Sequence, residues 1–255
     1  MESWSLGVWK SGSTYFSTIS PPGLQNSRTP NLPDSKSPGL QISQTPKTPR
    51  LTMPLPNPTG FRPQSSRAYT PITTCTHCAE HLPLGPRPIY RLHPKATIAL
   101  ISQAPGRLAH ESGVAWDDPS GRKLRDWLGV TETEFYDSPT FAVTPMGLCY
   151  PGKGKGGDLP PRPECAPLWQ DTLLNLLPNL QLKILIGAYS QARYLGNRRK
   201  RTLTETVRNY QAYLPEYFVL PHPSPRNGIF MRKNPWIEEE VIPKLQARVA
   251  ALLLE

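Results

Sequence analysis

The sequence has no long hydrophobic run. It contains no stretch of about 18 apolar residues, the length that crosses a bilayer as a helix. Its N-terminus also lacks the charged head and apolar core of a secretion signal. A membrane protein and a secreted protein are therefore not expected, and we expect a cytoplasmic protein without a membrane partner.

The first 70 residues have few clustered aliphatic side chains, but they hold 11 of the 32 prolines. Such a segment buries too little apolar area to offset the entropy lost on ordering. Two similar stretches, "PGLQNSRTPNLP" at 22–33 and "PGLQISQTPKTP" at 38–49, are too polar to form a solenoid. The sequence therefore predicts a disordered extension over 1–70 and one folded domain over 71–255.

Acidic residues are scarce. The chain has 19 Asp and Glu against 29 Lys and Arg, a net charge of +10 and a pI near 9.6. A basic chain of this kind suits a polyanionic partner such as nucleic acid. The basic run "GNRRKR" at 196–201 offers phosphate contacts, although exposed cations are most often only solvated.

Cysteine is also sparse, with only four residues: Cys75, Cys78, Cys149 and Cys165. Their spacing is C-x2-C, then 70 intervening residues, then C-x15-C. In a reducing compartment, a C-x-x-C pair with two further cysteines more often holds a metal or cluster than forms disulfides.

Four short apolar runs are present: "TIALIS" at 97–102, "FAVTPM" at 141–146, "KILIGA" at 183–188 and "YFVLP" at 217–221. They are continuous rather than alternating, which is typical of strands buried on both faces of a parallel sheet. Helical patterns separate them at 120–129, 165–178 and 188–196, and another follows at 234–255. Ser120 is a candidate cap for the first, and Pro243 should kink or split the last. The fold class is α/β, a three-layer α/β/α sandwich around a roughly four-stranded, mainly parallel sheet.

Two loops that follow predicted strands carry unusual residues. "SQAPG" at 102–106, the QAPG loop, follows the first strand, and "HPSPRN" at 222–227, the HPSPRN loop, follows the last. Ligands of parallel sheets bind beyond the carboxyl ends of the strands. The prolines around His222 make a stiff bend that presents its side chain in a fixed direction, although a plain surface turn has a similar composition.

Together the two loops resemble the signature motifs of the uracil-DNA glycosylase superfamily, a G-Q/E-x-P loop and an H-P-S loop. The four cysteines resemble the cluster ligands of its iron-sulfur members. This resemblance covers about residues 72–250. It implies a [4Fe-4S] cluster on Cys75, Cys78, Cys149 and Cys165, with structural zinc as the chemical alternative. It also implies a monomer that binds single- or double-stranded DNA containing damaged bases.

The resemblance further implies roles for individual residues. His222 stabilises the departing base as it becomes an anion, and Trp116 supplies an aromatic platform, unless it is a core aromatic. Catalytic candidates are His222, Gln103, Glu111 and Asp117; base-pocket candidates are Ala104, Pro105, Gly106, Trp116 and Met146; DNA-binding candidates are Ser224, Arg226 and Asn227.

The sequence departs from the family pattern at two positions. Ala104 stands where better-known members have an aspartate that positions the attacking water, so Glu111 and Asp117 are the nearest candidates, unless they are capping carboxylates. Pro145 stands where iron-sulfur members have an asparagine that reads uracil, and backbone groups of 144–148 are the possible substitute. These departures put the uracil selectivity in question.

The sequence therefore predicts a DNA base-excision repair glycosylase that hydrolyses the N-glycosidic bond of a deaminated base, with uracil as the expected base. The alternative is a catalytically weak or inactive nucleic-acid binding module that retains the fold and cluster. A zinc-stabilised structural protein without DNA affinity is a third interpretation.

Overall fold

The computed structural model describes residues 71–254. The interpretation of residues 1–70 as a disordered extension lies outside the described residues. Within 71–254, no helix is both long and apolar enough to cross a bilayer.

The described part of the chain forms a four-stranded parallel sheet in the order β2-β1-β5-β6, and a separate two-stranded antiparallel hairpin, β3-β4. The strands are β1 (Ile98–Ile101), β2 (Phe141–Val143), β3 (Lys153–Gly154), β4 (Gly157–Asp158), β5 (Leu182–Ile186) and β6 (Tyr217–Leu220). The four apolar runs are thus the four strands of the main sheet, as predicted. Strands β1, β2 and β6 are buried at every position because helices cover both faces.

Helices alternate with the strands and complete the three layers. They are α1 (Arg107–Ser112), α2 (Pro119–Leu128), α3 (Glu132–Asp137), α4 (Cys165–Asn175), α5 (Ala188–Leu195), α6 (Leu203–Arg208), α7 (Gly228–Lys233) and α8 (Ile242–Leu253). A π-helical segment, Ile237–Val241, precedes α8, and Pro243 lies in the first turn of α8. The terminal helical pattern is therefore split near Pro243, as the sequence predicts.

The start of α2 corrects one detail of the sequence analysis. Asp118, not Ser120, is the N-cap, and its side chain accepts a hydrogen bond from the Gly121 amide at 2.7 Å. Pro119 takes the first helical position, where a missing amide proton costs nothing. This cap fixes the segment immediately before α2, which holds Trp116.

The strand order places the site. Strand β1 pairs with β2 on one side and with β5 on the other, so the chain changes direction across the sheet at β1. A crevice opens at such a switch point, beyond the carboxyl ends of the strands. The QAPG loop leaves β1 at this edge, and the HPSPRN loop leaves β6 at the same edge.

Candidate active site

A cleft of about 600 Å³ opens at the carboxyl edge of the sheet. The QAPG loop, the segment around Trp116, the β3-β4 hairpin and the HPSPRN loop form its walls. A volume of this size suits a small ligand such as a nucleotide base with its sugar. The two loops that the sequence analysis paired are therefore brought together in space.

His222 is held at the inner wall of this cleft by the backbone on both sides of it. The carbonyl oxygen of Leu220, two residues earlier, accepts hydrogen bonds from the Gly187 amide and from Gln191 Nε2, both at 2.9 Å. The carbonyl oxygen of His222 itself accepts from Asn227 Nδ2 at 2.7 Å. Burial lowers the pKa of His222 to about 4, so the imidazole is neutral at pH 7 and donates a proton from only one nitrogen.

Trp116 faces His222 across the cleft, with the two ring centroids 5.7 Å apart. Its side chain is buried, and its backbone φ of 63° lies in the left-handed region. A bulky residue in this conformation costs about 1–3 kcal/mol and is found mostly where the surroundings enforce it. Trp116 is thus a core aromatic that also lines the cleft, and its role as a platform for a base stays a prediction.

Backbone hydrogen bonds join the QAPG loop to the segment after β2. The carbonyl of Ser102 accepts from the Met146 amide at 2.9 Å, and that of Gln103 accepts from the Gly147 amide at 2.7 Å. Gln103 and the Ala104, Pro105 and Gly106 that follow it line the cleft. Met146 is buried but lies outside the cleft lining, in contrast to its predicted place in the base pocket.

Pro145 lines the cleft at the position of the missing asparagine, and the neighbouring amides are already engaged. The Thr144 amide donates to Leu100 O at 3.0 Å, and the Leu148 amide donates to Cys165 Sγ at 3.3 Å. With the Met146 and Gly147 amides also bonded to the QAPG loop, no amide from 144 to 148 is available to read a base. The amides among the backbone groups of 144–148 therefore do not replace the asparagine, and a contact from the carbonyls of this segment stays a prediction.

Gln170 in α4 holds this segment through hydrogen bonds to its carbonyl groups, a role that no pattern in the sequence predicts. Its Nε2 donates to the carbonyls of Thr144 and Pro145, at 3.0 and 2.7 Å, while its Oε1 accepts from Tyr194 Oη at 2.7 Å. The only signal in the sequence was one glutamine among the apolar positions of α4. Gln191 in α5 is a second buried amide of this kind.

The acidic residues of the cleft differ from those expected. Glu111 is paired with Arg107 at 2.7 Å on the surface, and Asp117 is exposed and lies outside the cleft lining. Among the described residues, the carboxylates that line the cleft are Asp118 and Asp158. Asp158 lies in β4, in the Gly/Pro-rich insert between the third and fourth cysteines.

The three predicted DNA-binding residues all line the cleft, but they are not equivalent. Ser224 Oγ accepts from the Arg226 amide at 3.3 Å, which leaves its hydroxyl proton free to donate. Arg226 is exposed and its Nη1 lies 3.5 Å from Gly156 O, across the cleft in the β3-β4 turn. The amide nitrogen of Asn227 is committed to the His222 carbonyl, so Asn227 supports the histidine.

The basic run at 196–201 lies at the opposite edge of the sheet. Arg198 stacks over Tyr213 and over Tyr217, the first residue of β6, at 5.7 and 6.0 Å. Helix α5 returns the chain from the carboxyl edge of the sheet to the amino edge before the basic run begins. The run therefore lies near the amino end of β6, whereas the loop that carries His222 follows the carboxyl end of β6. These cations therefore do not extend the cleft.

The four cysteines line one small cavity, together with Leu148 and Trp169. None is in a disulfide, and Trp169 Nε1 donates to Cys75 Sγ at 3.4 Å. Burial raises the pKa of Cys149 to about 11 and that of Cys165 to about 12. Within residues 71–254, no group of three or more His, Cys, Asp or Glu side chains is arranged as a metal site.

The sequence motifs and the cleft agree with the comparison to known families. The family model of the uracil DNA glycosylase superfamily matches residues 90–246. This range covers more than half of the chain and includes β1, the QAPG loop, all of the main sheet and the HPSPRN loop. Cys149 and Cys165 fall inside it, whereas Cys75 and Cys78 precede it. The chain belongs to the uracil DNA glycosylase superfamily.

Proposed function

We propose that this protein is a base-excision repair glycosylase that removes uracil, and other deaminated bases to a lesser extent, from DNA. The observation that carries the proposal is the neutral, half-buried His222, held by backbone contacts on both sides and facing Trp116 across a cleft at the switch point of the sheet. Membership of a DNA glycosylase superfamily supports the reaction class.

The reaction follows from the charge that develops. When the bond between C1′ of the sugar and N1 of the base breaks, its electron pair leaves with the base, which becomes an anion, and the sugar becomes cationic. A neutral imidazole that donates an N–H to O2 of the base stabilises this anion without an ion pair in the ground state. The low pKa of His222 supports such a donor.

The base has to leave the helix to reach this cleft. An extruded base stacks on an aromatic or apolar surface in its pocket, which is the role we propose for Trp116. Ser224 and Arg226 at the mouth would bind phosphate oxygens beside the extruded nucleotide. The Ile229 side chain, the second residue of α7 and two positions beyond the HPSPRN loop, is 64% exposed and is a suitable apolar contact for the vacated base stack.

Selectivity for uracil is expected to be modest. The asparagine reader is replaced by Pro145, and the amides of 144–148 are engaged in internal hydrogen bonds. Loss of a paired hydrogen-bond reader costs about 1–3 kcal/mol of discrimination. We therefore expect the preference for uracil over hypoxanthine or xanthine to be weaker by about 10- to 10²-fold than in a site that has the asparagine.

We also propose that Cys75, Cys78, Cys149 and Cys165 hold a [4Fe-4S] cluster, with zinc as the alternative. Four thiols, the donor set that either group takes, line one cavity, although their side chains are not arranged as a metal site in the described residues. The Leu148 amide and the Trp169 indole donate to two of the sulfurs. Such N–H donors stabilise thiolates. The group would join residues 75–78 to the start of α4 and would supply structural rigidity. Metal analysis of the purified protein distinguishes iron with acid-labile sulfide from stoichiometric zinc.

A nucleic-acid binding module without hydrolysis is the second candidate, favoured by Ala104 and Pro145. The glycosylase and the binding module are distinguished by incubating the protein with oligonucleotides and then treating them with alkali. The oligonucleotides contain uracil, hypoxanthine or xanthine in a single strand or a duplex, or a thymine mispair in a duplex. Strand breaks at the modified base, absent from the matched oligonucleotide without it, support the glycosylase. Binding to all substrates with no breaks supports the module, and no binding overturns both.

A further inference from the structure

The β3-β4 hairpin brings a carboxylate into the cleft from outside both sequence motifs. Its register pairs Lys153 with Asp158, and Asp158 faces the cleft. At the open end of the hairpin, the amide of Leu159, just after β4, donates to the carbonyl of Gly152, just before β3, at 2.8 Å. Arg226 reaches the turn of the hairpin through Gly156 O. The hairpin is therefore in contact with the HPSPRN loop.

Asp158 lies close to both the QAPG loop and the HPSPRN loop. Its Oδ2 is 3.5 Å from the point where a Cβ on Gly106 would lie, so this oxygen borders the QAPG loop. Its Oδ1 is 3.5 Å from Tyr150 Oη, at the long limit of a hydrogen bond. Its charge also acts on His222, where it opposes the effect of burial on the pKa. Asp158 is exposed, so its carboxylate is accessible to water in the cleft.

The other carboxylates are less suited to binding a water in the cleft. Ala104 has no carboxylate, Glu111 is paired with Arg107, and Asp117 lies outside the cleft lining. Asp118 also places its Oδ2 3.5 Å from the Cβ point of Gly106, but its Oδ1 caps α2. The charge of Asp158 raises the pKa of His222 against the effect of burial, which brings this carboxylate into electrostatic contact with the histidine. Among the carboxylates compared, Asp158 is therefore the one that borders the QAPG loop, caps no helix and interacts with His222.

We propose that Asp158 binds and activates the attacking water and faces the sugar cation, a role that rests on the proposed glycosylase function. After the C1′–N1 bond breaks, with its electron pair on the base, a lone pair of the water oxygen forms the new bond to C1′. One water proton passes to Asp158 Oδ2 and then to solvent or to the departed base. The atoms and charges balance without a further reactant.

The test compares three isosteric variants by single-turnover kinetics on a uracil-containing single strand, at saturating protein. Asp158→Asn should lower the rate by about 10²-fold or more, as removal of a general base does, while the Kd for the strand is unchanged or lower because a negative charge is lost. Asp118→Asn, at the other carboxylate of the cleft, retains a capping side chain and should be slowed less than Asp158→Asn. Asp171→Asn, which alters an exposed aspartate of α4 paired with Arg193, is the matched control.

The outcomes separate this inference from the proposed function. A wild-type protein without activity on any base overturns the glycosylase proposal, and Asp158 with it. An active wild type in which Asp158→Asn matches Asp171→Asn overturns the role of Asp158 alone. If Asp118→Asn is slow and Asp158→Asn is not, the water belongs to Asp118 and our assignment is wrong. Thermal unfolding of all three variants within about 2 °C of the wild type excludes a folding defect as the cause of a slow rate.

Discussion

A substitution of Gly121, in the first turn of α2, is the strictest test of how the site positions Trp116. A Cβ at this position would overlap the carbonyl oxygen of Trp116 and lie 2.6 Å from its carbonyl carbon and 3.0 Å from its Cβ. Backbone atoms cannot rotate away as the end of a side chain can. Gly121→Ala should therefore displace Trp116, whose backbone conformation is already unfavourable and whose ring faces His222.

Two opposing terms set the size of the effect. Alanine in place of glycine favours a helix by about 1 kcal/mol, whereas steric overlap in a packed region costs about 1–3 kcal/mol or more. We expect a net loss of about 1–2 kcal/mol, which lowers the Tm by about 2–8 °C in a domain of this size. A shift of about 1 Å in a positioning group costs about 10²-fold in rate, so the single-turnover rate should fall by 10- to 100-fold.

The measurements are thermal unfolding and single-turnover excision of uracil, with Gly228→Ala as the matched control. Gly228 also starts a helix, α7, but its Cβ would meet only the end of the Arg232 side chain, at 3.7 Å. The control should keep its rate and keep or raise its Tm, because alanine favours a helix and meets no close atom there. A Gly121→Ala protein that is as stable and as active as the control would refute the view that Gly121 fixes Trp116.

Three further predictions follow from the charges and contacts of the site. Because the pKa of His222 falls from 6.5 to about 4 on folding, the unfolded chain binds this proton first. Acidification from pH 7 to pH 4 should thus lower the unfolding free energy by about 3 kcal/mol through this group, and urea midpoints of His222→Gln should show a smaller loss. Arg226→Ala should weaken duplex binding and reduce the slope of log K against log salt concentration by about 1, with less effect on single strands; an unaltered slope excludes a phosphate contact. Cys165→Ser should abolish the visible absorption of an iron-sulfur protein and lower the Tm, and a colourless wild type that contains zinc contradicts the iron assignment.

The fold was predictable because its signals are local. Strands β1, β2, β5 and β6 are continuous apolar runs, and such runs occur where both faces of a sheet are covered. Parallel order then brings the loops after β1 and β6 to one edge. The pairing of the QAPG and HPSPRN loops in one cleft follows from these two facts.

The rest of the site depends on tertiary contacts that no periodic pattern in the sequence indicates. Asp158 lies in a short hairpin of glycines and charged residues, where register rather than composition decides which side chain faces the cleft. Gln170 and Gln191 are single polar residues in helices, and only the tertiary structure shows the carbonyls they bind. Asp and Ser are similarly good caps, so the residue types alone do not decide between Asp118 and Ser120 as the cap of α2.

The most direct test of the central claim is the rate of base release by the wild type and by His222→Ala, measured at saturating protein on a uracil-containing single strand. The account predicts that the wild type releases uracil and that His222→Ala is slower by about 10²–10³, as for loss of one preorganised donor, with an unchanged Kd for the strand. An active wild type with an unaltered rate in His222→Ala would contradict the claim that this histidine stabilises the departing base.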